Sequence, residues 1–140
     1  MGHDVFKYEY GNLYELDPDL CCHINKTEPL QNALGEYKAW ISGVRADQTA
    51  HRATLKEYNL QEDGRMKICP MLRWTSKDIW TYHSRNNLPL HPLSIEGFTS
   101  IGCAPCTRRP ENGDERSGRW ANNCKTECGI HTNIGKGNDK

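Results

Sequence analysis

The chain has 140 residues, 36% hydrophobic and 26% charged, with a mean hydropathy of −0.84, which suits one domain with a modest core. Eighteen Lys and Arg balance eighteen Asp and Glu, so no global field draws the protein to nucleic acid or to an anionic membrane surface. No apolar run approaches the ~20 residues of a membrane-spanning helix, and the start of the chain has no leader character, so seven cysteines read as reduced thiols or metal ligands in the cytoplasm.

Residues 1–17 form an aromatic and polar lead-in with weak periodicity. Asp17-Pro18-Asp19 then starts a helix, with proline at an early position and acids at the positive dipole end; that helix carries Cys21 and Cys22. Thr27-Glu28-Pro29 repeats the start signal ahead of Leu30, Ala33 and Leu34, and Gly35 is the stop. Ala39–Val44 is short, apolar and β-branched, as a buried strand would be. Arg45 follows at the strand's C-terminal end, where open α/β sheets bind ligands, and is a candidate anion contact.

Residues 65–69 give a second short strand. Thr75-Ser76-Lys77-Asp78 caps a helix running to about Ser84, with Ile79, Trp80 and His83 on one face. Prolines and glycines from Asn86 to Cys106 predict a long loop, and Glu111-Asn112-Gly113-Asp114 a turn. Arg108, Arg109, Arg116 and Arg119 crowd the stretch before Cys128, and the Gly- and Lys-rich residues from Thr132 form a mobile tail. Two strands with three or four helices do not close a doubly wound sheet, which points to part of a larger α/β domain.

The cysteines carry the chemistry. Cys21-Cys22 are adjacent, Cys103-Ala104-Pro105-Cys106 is a Cys-x-x-Cys, and Cys128 stands apart in Glu127-Cys128-Gly129-Ile130-His131. Adjacent thiols on a helix diverge by about 100°, a poor chelate for one tetrahedral zinc. A cubane cluster presents separate iron corners that two neighbouring thiolates can reach. A [4Fe-4S] cluster, one zinc and a set of free buried thiols all stay open on spacing, with the cluster favoured.

Lys26, four residues after Cys22, is either a cation offsetting a thiolate-bound centre or a solvated lysine. Cys128 and His131 share a face if their stretch is helical, and an imidazolium or arginine beside the thiol would enrich the thiolate. Arg116 and Arg119 could supply that charge and grip an anionic substrate, whereas Arg108 and Arg109 divide evenly between function and surface charge. Cys69 reads as a small buried hydrophobe. Cys124 reads as an idle thiol in preference to a disulfide partner for Cys128, and His51, His83 and His91 as structural or surface residues.

Seven ordered blocks carry a family resemblance from roughly Gly11 to His131. They are Cys21-Cys22-x-x-x-Lys26-x-x-Pro29-Leu30, Trp40–Arg45 with Asp47-Gln48, Pro70-Met71-Leu72-x-Trp74-Thr75, and Asp78-Ile79-Trp80-x-Tyr82. Downstream lie Ser100–Thr107, Glu115-Arg116-Ser117-Gly118-Arg119-Trp120 and Lys125–His131. Together they resemble the assimilatory adenylylsulfate reductases, the iron-sulfur branch of the phosphoadenylylsulfate (PAPS) reductase family.

The resemblance implies an α/β fold, the C-terminal portion of an adenine nucleotide alpha hydrolase-like domain over residues 1–131, with 132–140 a flexible tail. It implies a [4Fe-4S] cluster on Cys21, Cys22, Cys103 and Cys106, and nucleophilic attack by Cys128 on the sulfur of adenylyl sulfate. AMP leaves, an S-sulfocysteine forms, and thioredoxin releases sulfite. Lys26, Arg45, Arg52, Arg116, Arg119 and His131 are the implied substrate-binding residues. Family members that use the 3'-phosphorylated substrate lack the two thiol pairs, so their presence here favours adenylyl sulfate. The alternatives are a phosphoadenylylsulfate reductase and a non-catalytic four-cysteine metal-binding fragment; the expected partners are substrate and thioredoxin, with neither nucleic acid nor membrane, and a homo-oligomer is compatible.

Two departures stand out. The family's Ser-Gly-Gly-Lys-Asp-Ser-type PP-loop is absent, so the N-terminal half is expected to be missing. The segment between Trp120 and Lys125 is short, and with no thioredoxin-like domain after His131 the reductant is expected to be a separate protein.

Overall fold

A computed structural model describes residues 12–111, 113–121 and 125–132. The expectations for Cys124, for the lead-in before Asn12 and for the tail beyond Thr132 lie outside the described residues. A four-residue helix, α1 (Leu13–Leu16), ends the lead-in, where the weak periodicity predicts no regular element.

Helix α2 (Pro18–Cys22) begins as its start signal predicts: Asp17 caps it, the carboxylate accepting the Leu20 N–H at 2.9 Å. The second start signal does not open a separate helix. Thr27 is itself helical, and the chain runs from α2 through a π-helical turn, His23–Thr27, into α3 (Glu28–Ala33). Pro29 has no N–H to donate and its ring crowds the carbonyl one turn back. The wider turn sits directly before it, with Glu28 N–H donating to His23 C=O.

Among the described residues the sheet has three strands, β1 (Ala39–Ile41), β2 (Tyr58–Leu60) and β3 (Met66–Ile68), in the order β1-β3-β2. β1 pairs with β3 in parallel and β2 with β3 antiparallel. β2 is an addition to the two strands expected, although Asp63-Gly64 supplies a hairpin turn and Gly64 takes a φ of +81° there. β1 is shorter than predicted and is not buried, with Ile41 72% exposed. Among the described residues it is an edge strand, and the burial expected of it falls on the residues just beyond its end. Ser42 N–H extends the ladder to Ile68 C=O at 2.9 Å, and Val44 drops into a core with Cys69 and Leu72. Cys69, fully buried, behaves as the small hydrophobe its neighbours predict.

After β1 the chain makes a 3-10 turn (Ala46–Gln48) and helix α4 (Ala50–Ala53), capped by Thr49. Helix α5 (Ser76–Arg85) opens with the expected capping box, Thr75 and Asp78 each accepting the other's backbone N–H. Ile79 and His83 are half-buried on one face while Trp80 is largely exposed, its ring 6.0 Å from that of His83. The predicted loop comes next, interrupted by α6 (Pro92–Ile95) and by a 3-10 turn at Ala104–Cys106. The last described element is α7 (Gly129–Thr132), which packs on the π-helical turn. Among the described residues no helix is long and apolar enough to cross a membrane.

Candidate functional site

The second core is also the site. Cys22, Trp120 and Cys128 form a buried cluster with Cys106 and Ile130 packed against it. Each thiol arrives on a locally determined element. Asn25, one turn beyond Cys21, donates its amide N–H to Cys21 C=O at 2.9 Å and to Cys21 Sγ at 3.7 Å. In the Cys-x-x-Cys turn, Cys103 C=O accepts both the Cys106 N–H and the Thr107 hydroxyl at 2.9 Å. Thr107 in turn accepts the Gly102 N–H.

The two thiol pairs lie near each other: Cys21 is close enough to feel the charges of Cys106 and Cys103, and Cys106 packs against the cluster that holds Cys22. Burial raises the Cys21 thiol above the ordinary range, and the negative charges of Cys106 and Cys103 raise it further. Burial likewise raises Cys106, with Cys103 adding to it. None of the described cysteines is in a disulfide. No three described His, Cys, Asp or Glu side chains close around a point as a single ion requires. The donors of the two pairs are all thiols, a set that suits a thiolate-bound centre, whether zinc or an iron-sulfur cluster. The Trp120 indole N–H fits it too, because it is buried against these thiols with no acceptor among the described residues.

Cys128 and Cys22 are in hydrogen-bond contact, which pushes the Cys128 thiol down and the Cys22 thiol up. A Cys22 ligated to iron has no proton to donate. The Ile130 N–H and the ammonium groups of Lys26 and Lys125 would still favour the Cys128 thiolate, against the cost of its burial. Lys26 is half-buried, not a solvated surface lysine. Burial works against its charge, but Cys128, Cys103 and Cys22 together hold its ammonium above the ordinary lysine range.

Of the two cations the sequence offers for the side of Cys128, an imidazolium or an arginine, His131 does not supply the first. Burial, together with the cations of Arg52, Lys67 and Arg116, depresses His131 to about 3, so its ring is neutral. His131 Nδ1 is buried without a partner among the described residues, and its carbonyl accepts from His51 Nε2 at 3.2 Å. The positive charge near Cys128 therefore comes from Lys26 and Lys125.

A cavity of ≈ 560 Å³ opens over this cluster, walled by Lys26, Arg52, Arg116, Arg119, Cys103, Cys128 and His131. Arg119 is fixed by Nε to Cys106 C=O at 3.3 Å, by Nη1 to Ile101 C=O at 3.2 Å and by its stack 4.4 Å over Trp120. Arg116 donates Nη2 to Thr126 C=O at 3.0 Å and lies 4.0 Å from Glu127. Arg45 is not in the cavity wall; its guanidinium is paired with Asp47 and Glu115, both at 3.0 Å. Arg108 and Arg109 are exposed, Arg109 over the Phe98 ring.

Four residues were missed by sequence reasoning. Glu127 and Thr49 seat the Cys128 segment, and Lys125 ties it to Asp19 and to Pro18 C=O. Lys67 is buried in β3, where burial lowers it from the ordinary lysine range and its Nζ rests 5.2 Å over the Trp40 ring. Glu127 gave one signal, a carboxylate beside the candidate nucleophile, but its partner lies 75 positions away.

The chain matches the family model of the phosphoadenosine phosphosulfate reductase domain over residues 2–109. It is 49% identical over 121 residues to the adenosine 5'-phosphosulfate reductase of Bacillus pumilus (strain SAFR-032), covering 85% of this chain and 52% of that protein. With the adenosine 5'-phosphosulfate reductase of Streptomyces coelicolor (strain ATCC BAA-471 / A3(2) / M145) it shares 44% identity over 126 residues, covering 88% and 53%. The crystal structure of phosphoadenylyl-sulfate (PAPS) reductase from Candida auris, a phosphate complex, superposes with a TM-score of 0.63 at 28% identity, over 75% of this chain and 51% of that one. The chain spans about half the length of the curated relatives it matches.

Proposed function

Because the chain belongs to the phosphoadenosine phosphosulfate reductase family and has its α/β fold, we propose that it carries the thiol chemistry of adenylyl sulfate reduction to sulfite and AMP in sulfate assimilation. The observation that carries this reading is the meeting of one separate thiol, Cys128, with Lys26, Arg116, Arg119 and Cys103 in a single cavity, over a cluster that also holds Cys22 and Cys106. The relatives at 44–49% identity are named for the adenosine 5'-phosphosulfate substrate, which supports adenylyl sulfate over its 3'-phosphorylated counterpart.

The difficulty in such a reaction is bringing an anionic thiolate to an anionic sulfonate. The leaving group is AMP, a phosphate monoester that needs little protonation. Opposite charges in near contact are worth about 4 kcal/mol at an effective dielectric of about 20. Lys26, Arg116 and Arg119 would reduce the repulsion as Cys128 Sγ approaches. The Cys128 electron pair forms the S–S bond while the bond from sulfur to the phosphate oxygen breaks and AMP departs. A thiolate of thioredoxin then attacks Cys128 Sγ, and sulfite leaves with the pair of electrons from the broken S–S bond. The second thioredoxin thiol resolves the mixed disulfide, so the dithiol supplies both electrons.

Cys21, Cys22, Cys103 and Cys106 would hold a [4Fe-4S] cluster, which supplies a compact polarisable body binding α2 to the 103–106 turn. Reduced thiols of this kind suit the cytoplasm.

The test is anaerobic incubation with sulfur-labelled adenylyl sulfate, followed by peptide mapping. Label on the peptide holding Cys128, released as sulfite by thioredoxin, is the expected result. Label retained by Cys128→Ser would remove Cys128 from the role.

A further inference from the structure

Arg52 lines the cavity, yet each of its three guanidinium nitrogens already donates to a neighbouring side chain. Nε donates to Glu127 Oε1 at 2.7 Å and Nη2 to Glu127 Oε2 at 3.0 Å, while Nη1 donates to Gln48 Oε1. Glu127 Oε1 also accepts the Thr49 hydroxyl at 2.5 Å. Thr49 itself caps α4 by accepting the Arg52 N–H at 3.2 Å. Both partners are buried, Arg52 7% and Glu127 8% exposed. The Nε–Nη2 edge of the fork, engaged on both carboxylate oxygens, is closed to a substrate anion, and Nη1 is shared with Gln48. Arg116 differs: it makes one bond to a carbonyl and only a long approach to Glu127.

Glu127 is joined directly to Cys128, so whatever fixes the carboxylate fixes the thiol's place against Cys22 and Trp120. We propose that the Arg52–Glu127 pair, braced by Thr49 and Gln48, is the latch that seats Cys128, and that Arg52 is a positioning residue acting through Glu127 instead of a substrate contact. A buried bidentate pair is suited to this. Removing either partner strands the other charge without solvent, so the seated state is lost as a unit. The proposal rests on Cys128 being the reactive thiol only for its importance to turnover. Its test reads the seat alone, so either idea can fail without the other.

The test is pulse labelling of the reduced full chain with iodoacetamide, each cysteine quantified by peptide mass. Cys69, fully buried in the other core, is the internal reporter of global opening. Arg52→Ala and Glu127→Ala are each expected to raise Cys128 labelling by about tenfold or more while Cys69 stays protected. Arg52→Lys, which keeps the charge and loses the fork, should fall between wild type and Arg52→Ala. The double alanine variant should label no faster than the faster single, because the two residues act as one unit. Opposite shifts in the two single variants would mean that their charges only tune the thiol, and would overturn the latch. So would unchanged Cys128 labelling, or Cys69 labelling that rises in step with it.

Discussion

Arg45 Nη2 donates to Glu115 Oε2 at 3.0 Å, across 70 residues of chain. Glu115 also accepts the Ser76 hydroxyl, and its carbonyl accepts Thr99 Oγ1–H at 2.6 Å. Glu115 thus gathers the turn after β1, the start of α5 and the loop before Cys103, and it immediately precedes Arg116 in the cavity wall. Arg45, read from sequence as a candidate anion contact, holds this junction through its two ion pairs. Arg45→Ala should lower stability by about 1–2 kcal/mol, between the values for exposed and buried pairs, read as the urea midpoint. An unchanged midpoint would show that the junction holds without Arg45.

Two glycines beside this wall should respond differently to the same methyl group. A Cβ on Gly118 would lie 2.1 Å from the Arg108 carbonyl oxygen, where β-bridge geometry brings two backbones together, Thr107 opposite Arg119. A Cβ on Gly102 would lie 2.2 Å from Arg119 Nη2, the far end of a side chain, which can give way by releasing its bond to Ile101 C=O while the backbone stays in place. Gly118→Ala should therefore destabilise by about 2 kcal/mol or more, because backbone must move. Gly102→Ala should leave stability within about 1 kcal/mol but weaken binding of labelled adenylyl sulfate about tenfold by displacing the Arg119 guanidinium. Thermal unfolding and equilibrium binding read the two effects; equal loss of stability in both variants would contradict the distinction.

The parts of this arrangement that are legible from sequence are those governed by neighbours in the chain. Asp17 and Thr75 cap their helices because a short polar side chain meets an N–H three residues on, a purely local event. The spacing of Cys21-Cys22 and of Cys103–Cys106 marks both thiol pairs, and family resemblance marks their meeting. The π-helical turn at His23–Thr27 is hidden because Thr27-Glu28-Pro29 is as good an opening for a new helix as an insertion in an old one. β2 escapes because Tyr58-Asn59-Leu60 is too short to show alternation, and β1 reads as buried because three apolar residues cannot reveal that they form an edge. Glu127 and Arg52 are each ordinary surface types, and only their pairing makes them buried. The neutral ring of His131 is hidden for a similar reason, since its burial, and the cations from α4, β3 and the Arg116 segment that add to it, are set by residues distant in the chain.

Anaerobic reconstitution with ferrous iron and sulfide should give a brown protein with about four irons per chain. Serine at Cys21, Cys22, Cys103 or Cys106 should each remove most of that iron, whereas Cys69→Ser and Cys128→Ser should keep it. Lys26→Ala should also keep its iron but shift the cluster's reduction potential downward, because a neighbouring cation is lost while the cluster's charge remains. Iron and sulfide analysis with a potentiometric titration separates the two kinds of variant. A colourless protein binding one zinc would sink the cluster assignment.

Acid should weaken the fold in two distinguishable steps. Burial holds His131 neutral down to about 3, far below the ordinary histidine value near 6.5, so between these pH values the unfolded chain binds a proton that the folded one refuses. Stability then rises with pH through this window, and acidification from pH 6.5 to pH 4.5 should cost roughly 2 kcal/mol from this residue. Burial raises the Glu127 carboxyl, but hydrogen bonds from Arg52 and Thr49 outweigh it and leave the group below the ordinary range. Its stabilisation is complete above the unfolded carboxylate value and disappears as the pH falls through the folded one, so it acts below about pH 4.5. Urea unfolding across pH should therefore show His131→Asn flattening the upper part of the decline and Glu127→Gln the lower part. A His131→Asn curve parallel to wild type between pH 6.5 and pH 4.5 would mean that the ring takes up its proton within the folded protein, and that the cations around it do not control its charge.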